Sequence, residues 1–541
     1  MRRHHPLHSR RTPLTLLSAL ALLAGACAGG PEPRPSEPPA APAGTSGPQA
    51  GGGADPTPDT PGAASGPDEA WRAQAPQAGP SPELVLPTFE RGALPNGLTV
   101  LVASRRDLPL VTLSVACQAG SSTDPAGKAG LASLSFVMLT EGAGGRDSIQ
   151  LDEAFGQLGA SVGAGVSPDG GSASTTVLTR NADAAMKLLA DVVRRPNLAP
   201  KDFARRKEQQ LEGIARSLAN PGYLGRLAFA EATFGAAHPY GRPSGGTVQS
   251  VKGLTLQDVK GFLAQRLGPK ACALVAAGDV SLAEAQALAA RHLGDWKGGA
   301  TPPKVPPVPK APARTRVVLV PKPGLNQTLV LMGRPAIAAG HPDEEALELA
   351  STVFGGFFGS RLNMNLREAR GYTYGASAGV DARRGVGPLS ASSAVRADVT
   401  GPAMQEFYGE LKGLKQRPIT PQELEAAREG VIRSFPGSFD SIESLAGTLA
   451  SLYFEGQPLD RLARRVKALE GTDLAAVQRA AEAYFQPELM QVVVVGDPGT
   501  VRAQVADLGL GPIELAPPPP GAPATPPPGE AAGAQGPSAT P

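Results

Sequence analysis

Two apolar runs with the same ending recur nearly half a chain apart. They are CALVAAGDV, closing on Gly278-Asp279, and QVVVVGDP, closing on Gly496-Asp497; the aspartates stand 218 residues apart (279 to 497). Each half also opens with a similar run, GLTVLVAS from Gly97 and TRVVLVP from Thr315. A repeat at this spacing restricts the chain to two diverged copies of one domain. Between the strand signals lie segments of helical spacing, Leu151–Leu158, Ala182–Val193 and Pro200–Leu218. Ser161–Val166 and Ser172–Leu178 alternate as a hairpin around the turn Ser167-Pro168-Asp169-Gly170-Gly171. Helices mixed with hairpins predict an α+β class, each half a largely antiparallel sheet flanked by helices.

Composition divides the rest. Residues 1–27 have a basic start, an apolar core from Leu14 to Leu23 and small residues before Cys27, which reads as a secretory signal. Its ending Leu23-Ala24-Gly25-Ala26-Cys27 resembles a bacterial lipoprotein processing site, which implies a lipoprotein-type signal peptide with Cys27 lipidated, the alternative being ordinary cleavage near Ala26. Residues 28–82 are rich in Pro, Gly and Ala and cannot offset the ordering entropy of a core, so a disordered tether is predicted. A domain follows over 83–300, then a Pro-rich linker at 301–314, a second domain at 315–511 and a disordered tail at 512–541. By the sorting pattern of such lipoproteins, Ala28 after the cysteine implies the outer membrane, with the chain facing the periplasm and contacting the bilayer through its lipid alone. Without residues 1–27, 47 basic residues meet 49 acidic ones, a balance that gives nucleic acid no concentrated positive surface. Cys117 and Cys272 sit in apolar runs; a buried free thiol is the default for each, and an oxidising compartment also permits a disulfide.

The stretch Gly130–Gly142, GLASLSFVMLTEG, carries the most chemical information. It resembles the active-site helix of the pitrilysin/insulinase family of zinc metallopeptidases, G-L-A-H-x-x-E-H-M-L-x-x-G. In that motif two histidines on one helical face bind zinc, and the glutamate is general base to the zinc-bound water. The flanks Gly130, Leu131, Ala132, Met138, Leu139 and Gly142 match, but the chemical positions read Ser133, Phe136 and Val137. A benzyl ring accepts no proton from water and an isopropyl group has no lone pair for a metal. The family's third ligand, a glutamate about 76 residues further on, falls on Gly213. Glu212 beside it points about 100° away around the helix, and Glu208 and Glu212 read as a solvated face. The degenerate positions thus leave no catalytic residue and no metal or other cofactor is expected.

The resemblance runs over about residues 88 to 511, through Leu94-Pro95-Asn96-Gly97-Leu98, Leu158-Gly159-Ala160, His238-Pro239-Tyr240-Gly241 and Gly359-Ser360-Arg361-Leu362-Asn363. It implies two homologous α/β-roll domains facing each other as a clamshell around a chamber. In LREARGYTYG, Arg367 and Tyr374 match an arginine and a tyrosine that contact peptide substrate in active relatives, donating to a carbonyl or developing oxyanion. Tyr372 shares the alternation of Tyr374, and Arg367 could instead be tied to Glu368. Such donors act only opposite a zinc-bearing half, so the resemblance implies a catalytically inactive subunit of a heterodimer with a zinc-bearing insulinase-family paralogue. The alternative is a non-enzymatic peptide-binding or scaffold lipoprotein. Beyond residue 27 the chain keeps only His238, His292 and His341, spaced for no metal motif and read as structural.

Overall fold

A computed structural model describes residues 84–302, 304–308 and 315–516. The signal peptide with Cys27, the tether up to residue 83, part of the linker and the tail beyond 516 lie outside the described residues. No helix among the described residues is long and apolar enough to cross a membrane.

The first half supplies strands β1 (Phe89–Ala93), β2 (Thr99–Ser104), β3 (Leu110–Cys117), β4 (Gly163–Val166), β5 (Gly171–Leu178) and β6 (Cys272–Gly278). Their order across the sheet is β1-β2-β6-β3-β5-β4. The second half supplies β7 (Arg316–Pro321), β8 (Gln327–Pro335), β9 (Thr373–Val380), β10 (Pro388–Arg396), β11 (Gln491–Gly496) and β12 (Ile513–Leu515), ordered β12-β7-β11-β8-β10-β9. With β2 laid on β7 five strands correspond in order, so the repeat in the sequence is a repeat in the fold; only the edge strands differ, β1 lying antiparallel on β2 and the C-terminal β12 parallel on β7. Pairing is mainly antiparallel. In each half, however, the run ending in Gly-Asp inserts beside the opening strand in parallel, β6 on β2 and β11 on β7. That central position explains why these strands read as unbroken apolar runs: every residue of β6 and β11 is buried, with apolar layers on both faces.

The helices that concern the site are α1 (Leu131–Met138), α2 (Ala182–Arg194), α3 (Pro200–Ser217), α4 (Pro221–Phe234) and α5 (Ile442–Glu455). Proline at the first turn starts α3 and α4, where a missing N–H costs nothing. Asn220 caps α4 and Ser441 caps α5 through side-chain oxygens.

Two of these helices are exchanged between the halves. On one face of the first sheet, Val100, Val102, Leu274 and Ala276 pack with α1 and α2 of their own half. On the other face, Leu101, Ala103, Ala273, Val275 and Ala277 meet Leu445, Ala446, Leu449 and Ala450 of α5, from the second half. The alanines let that helix lie close. Reciprocally, Leu224 and Phe229 of α4 join Val318, Val320, Val493 and Val495 of the second sheet, while Val317, Leu319, Val492 and Val494 face the second half's own core. Gly225 makes the approach possible, since a Cβ there would stand 2.8 Å from Leu331 Cδ1.

Antiparallel register sets Cys117 opposite Cys272, and the two form a disulfide with Cα atoms 4.0 Å apart. The default of two free thiols is therefore corrected. Their adjacency arises from the insertion of β6 beside β3, which local sequence pattern does not encode.

Candidate functional site

Helix α1 begins after Gly130, whose φ of 91° lies in the left-handed region that favours glycine. The Asp124 carboxylate accepts from the Gly130 and Ala132 amides, both at 2.8 Å, and so anchors the helix N-terminus. Burial pushes this carboxyl up to about 7, against the opposing pull of those amides and of Arg242. Phe136 is 1% exposed. Its ring lies on Gly171 of β5, where a Cβ would stand 2.5 Å from Cζ. Ser133 and Val137, on the same helical face, are half-buried.

Helix α3 packs against α1, joined by Gln210, which donates to the carbonyls of Gly130 and Gly245 at 3.2 and 2.8 Å. Gly213 lines a cavity and a Cβ there would meet open space. Glu212 is exposed and pairs with Arg216 at 3.6 Å, outside the cavity lining. The four positions where the zinc motif carries its ligands and base thus hold a hydroxyl, a buried ring, an alkyl group and bare backbone. That donor set does not fit zinc, and among the described residues no three His, Cys, Asp or Glu side chains gather to hold a metal.

The cavity measures about 850 Å³ and is walled by both halves: α3, α4 and the segment around Tyr240 from the first, β8 and β10 with Asp381 and Arg383 from the second. The His238-Pro239-Tyr240-Gly241 motif forms part of its closure. The Tyr240 hydroxyl donates to the buried Asp169 carboxylate, at 2.7 and 2.8 Å from its two oxygens. Tyr240 also accepts from the Gly385 amide at 3.0 Å, while the Arg384 amide donates to Asp169 at 3.1 Å. Burial, reinforced by the Asp169 charge, pushes the Tyr240 hydroxyl well above its ordinary value. His238 stacks on Phe234, accepts from the Tyr240 amide and contacts the Pro306 carbonyl at 3.0 Å, a structural role. His292 contacts Asp183, and His341 accepts from the Asp343 amide.

Arg367 and Tyr374 stand outside the cavity lining, Tyr374 on β9, the strand that pairs with the cavity-lining β10. The register of β9 on β10 shifts between Thr373 and Ala376, so Tyr374 and Gly375 together oppose Ala394. This bulge re-aims the chain. Thr373 Oγ1 bonds Gly375 and Ala394, and the buried Asn363 carboxamide clamps Ala376, at 2.8 Å to both its amide and its carbonyl. Tyr374 projects 91% exposed, while Tyr372 packs on the second core. The Arg367 guanidinium lies 3.7 Å from the centroid of the exposed Phe358 ring. Its Nη1 is 3.3 Å from Glu368 without hydrogen-bond geometry. Phe358 extends from the Gly355–Gly359 loop, where Gly355 touches β9 so closely that a Cβ would be 2.7 Å from that of Ala378. Residues without a motif to announce them also line the cavity: Tyr223, Arg226, Arg242 and Arg383.

Comparison with known proteins bears on this geometry. The family described as Insulinase (Peptidase family M16) matches residues 99–240, and the one described as Peptidase M16 inactive domain matches residues 253–431. A protein of Mycobacterium leprae named an uncharacterized zinc protease is 28% identical over 344 residues, 62% of this chain and 76% of that protein. The crystal structure of a peptidase M16 inactive domain from Pseudomonas fluorescens superposes with a TM-score of 0.71 at 28% identity, covering 76% of this chain and 98% of that one. A protease from Helicobacter pylori shares the fold, with a TM-score of 0.70 at 22% identity over 76% of this chain and all of that one. With the duplicated sheets, the altered motif on α1 and two consecutive family matches in agreement, the chain belongs to the insulinase family of peptidases, M16.

Proposed function

We propose that this chain is the catalytically inactive, non-zinc subunit of a heteromeric peptidase at the bacterial envelope. Its partner is a zinc-bearing insulinase-family paralogue, and its own task is to help bind the peptide substrate. The observation that carries this reading is that Ser133, Phe136, Val137 and Gly213 lack every donor the motif needs, while the surrounding fold persists. Arg367 and Tyr374 are positioned to donate to a peptide brought by another molecule: one stacks on Phe358 and the other projects from a clamped bulge. The reading also includes a lipid on Cys27 that tethers the chain to the outer membrane on its periplasmic side.

The test mixes the purified chain with a zinc-bearing relative and follows peptide cleavage. The mixture should cleave faster than the relative alone. Arg367→Ala or Tyr374→Phe should lower the gain by about 10²-fold, the scale of losing one transition-state donor. A mixture no faster than the relative alone supports the scaffold alternative, and a gain untouched by both variants removes the two side chains from the chemistry. Palmitate labelling that disappears in Cys27→Ser checks the anchor.

A further inference from the structure

The repeat that relates the halves also relates two cavities. One is the 850 Å³ cavity between α4 and the second sheet; the other, of about 640 Å³, lies between α5 and the first sheet. Helices α4 and α5 occupy equivalent places, and counting from their caps, Asn220 and Ser441, sets Arg226 against Gly447 and Phe229 against Ala450. The second cavity is lined by small hydroxyl side chains with Glu443 as its charged group. The first has become basic and aromatic, with Arg226, Arg242, Arg383 and Tyr223 in its wall. Since the same architecture closes without them, the arginines are not demanded by the fold.

Two of these guanidinium groups have donors unspent. Arg226 is exposed at the cavity, close enough to Tyr223 to influence its hydroxyl, and makes no hydrogen bond or ion pair among the described residues. Arg242 donates one bond, to the Pro125 carbonyl at 3.2 Å, and its Nε is buried with no partner. Only its Nη1 is engaged, so the guanidinium keeps a terminal donor for an acceptor that enters the cavity. Arg383 is different, being neutralised by Asp381 at 2.5 and 2.8 Å and laid on the Tyr240 ring. Asp381 is the one carboxylate in the lining; behind it Asp169 is taken up by the Tyr240 hydroxyl and Asp124, near Arg242, by the Gly130 and Ala132 amides, so Arg226 and Arg242 leave the cavity surface positive beside an apolar wall of Phe229, Leu329 and Leu331.

We propose that this cavity selects acidic peptide segments, carboxylates meeting Arg226 and Arg242 while apolar side chains rest on the wall. The inference rests on the peptide-binding reading above and supplies its substrate class. Guanidinium forks suit carboxylate oxygens, and partial enclosure strengthens the attraction.

The experiment measures fluorescence anisotropy of three labelled peptides on the full chain. One is built from Glu, Leu and Gly, one has Lys for Glu, and one has Gln for Glu. The acidic peptide should bind about tenfold tighter than the basic one, with a preference that shrinks at high salt. Arg226→Glu and Arg242→Gln should each erase most of that preference, with melting curves confirming that the variants are folded. Lys260→Glu, at an exposed residue outside the cavity lining, changes the net charge as Arg226→Glu does and should leave the preference intact. Binding with no charge preference, or a preference that survives both arginine variants, overturns the inference and spares peptide binding. No binding of any of the three overturns both.

Discussion

Phe136→Ala removes a side chain that stands where the family motif places its general base, and the structure sets the size of the effect. The ring is 1% exposed and fills the space above Gly171 so closely that a Cβ there would stand 2.5 Å from it. Truncating such a phenylalanine costs about 3–5 kcal/mol, part lost transfer and part residual cavity. Gly171→Ala forces a methyl group against the ring and should cost about 1–3 kcal/mol by overpacking. With Phe136→Ala already made, the same methyl group enters vacated space. The double variant should therefore cost at least about 1 kcal/mol less than the sum of the single changes. Val137→Ala, at a half-buried position one residue on, should cost about 1 kcal/mol or less. Urea denaturation followed by circular dichroism gives all four values. A cost below about 1 kcal/mol for Phe136→Ala, or strict additivity with Gly171→Ala, would refute the claim that the emptied motif has become core.

The Cys117–Cys272 disulfide closes a segment of 155 residues, which in the chain-entropy description contributes up to about 5 kcal/mol. Changing both cysteines to serine should lower the denaturation midpoint in oxidising buffer and make it insensitive to reductant. The Glu455 carboxyl is pushed up to about 7 by burial and by the nearby Glu344 and Asp169 charges, against Arg465 and Arg461. The folded chain then holds this proton more tightly than the unfolded chain, so the stabilisation is full below pH 4.5 and is lost as pH rises to about 7. Glu455→Gln should flatten the fall of stability over that window and raise stability at pH 8 by about 1–2 kcal/mol, allowing for partial solvent access.

Legibility in the sequence followed the range of the physics. The hairpin at Gly163–Val166 and Gly171–Leu178, the helices near Ala182 and Pro200, and the runs ending in Gly-Asp were readable because periodicity and turn residues act locally. The altered helix at Gly130–Gly142 was readable because zinc chemistry tolerates so few side chains. What was not readable depends on long-range adjacency. Nothing near Cys117 shows that β6 lies beside β3, and nothing in α4 shows that Leu224 and Phe229 serve the other half's sheet. The cavity arginines escaped for the same reason: Arg226, Arg242 and Arg383 come from three separate segments, each an ordinary surface residue in its own context. His238-Pro239-Tyr240-Gly241 stands out as a motif, yet its meeting with Gly385 across the halves is a property of the fold.

The exchange of α4 and α5 has a mechanical consequence. Neither lobe owns a complete interior, so swinging the lobes apart would strip an apolar sheet face on each side at once. A guest must therefore reach the space between them through its open mouth, where Arg226 is exposed, rather than through a gaping jaw. Severing the polypeptide in the proline-rich stretch should leave two fragments that are each insoluble alone yet reassemble when produced together.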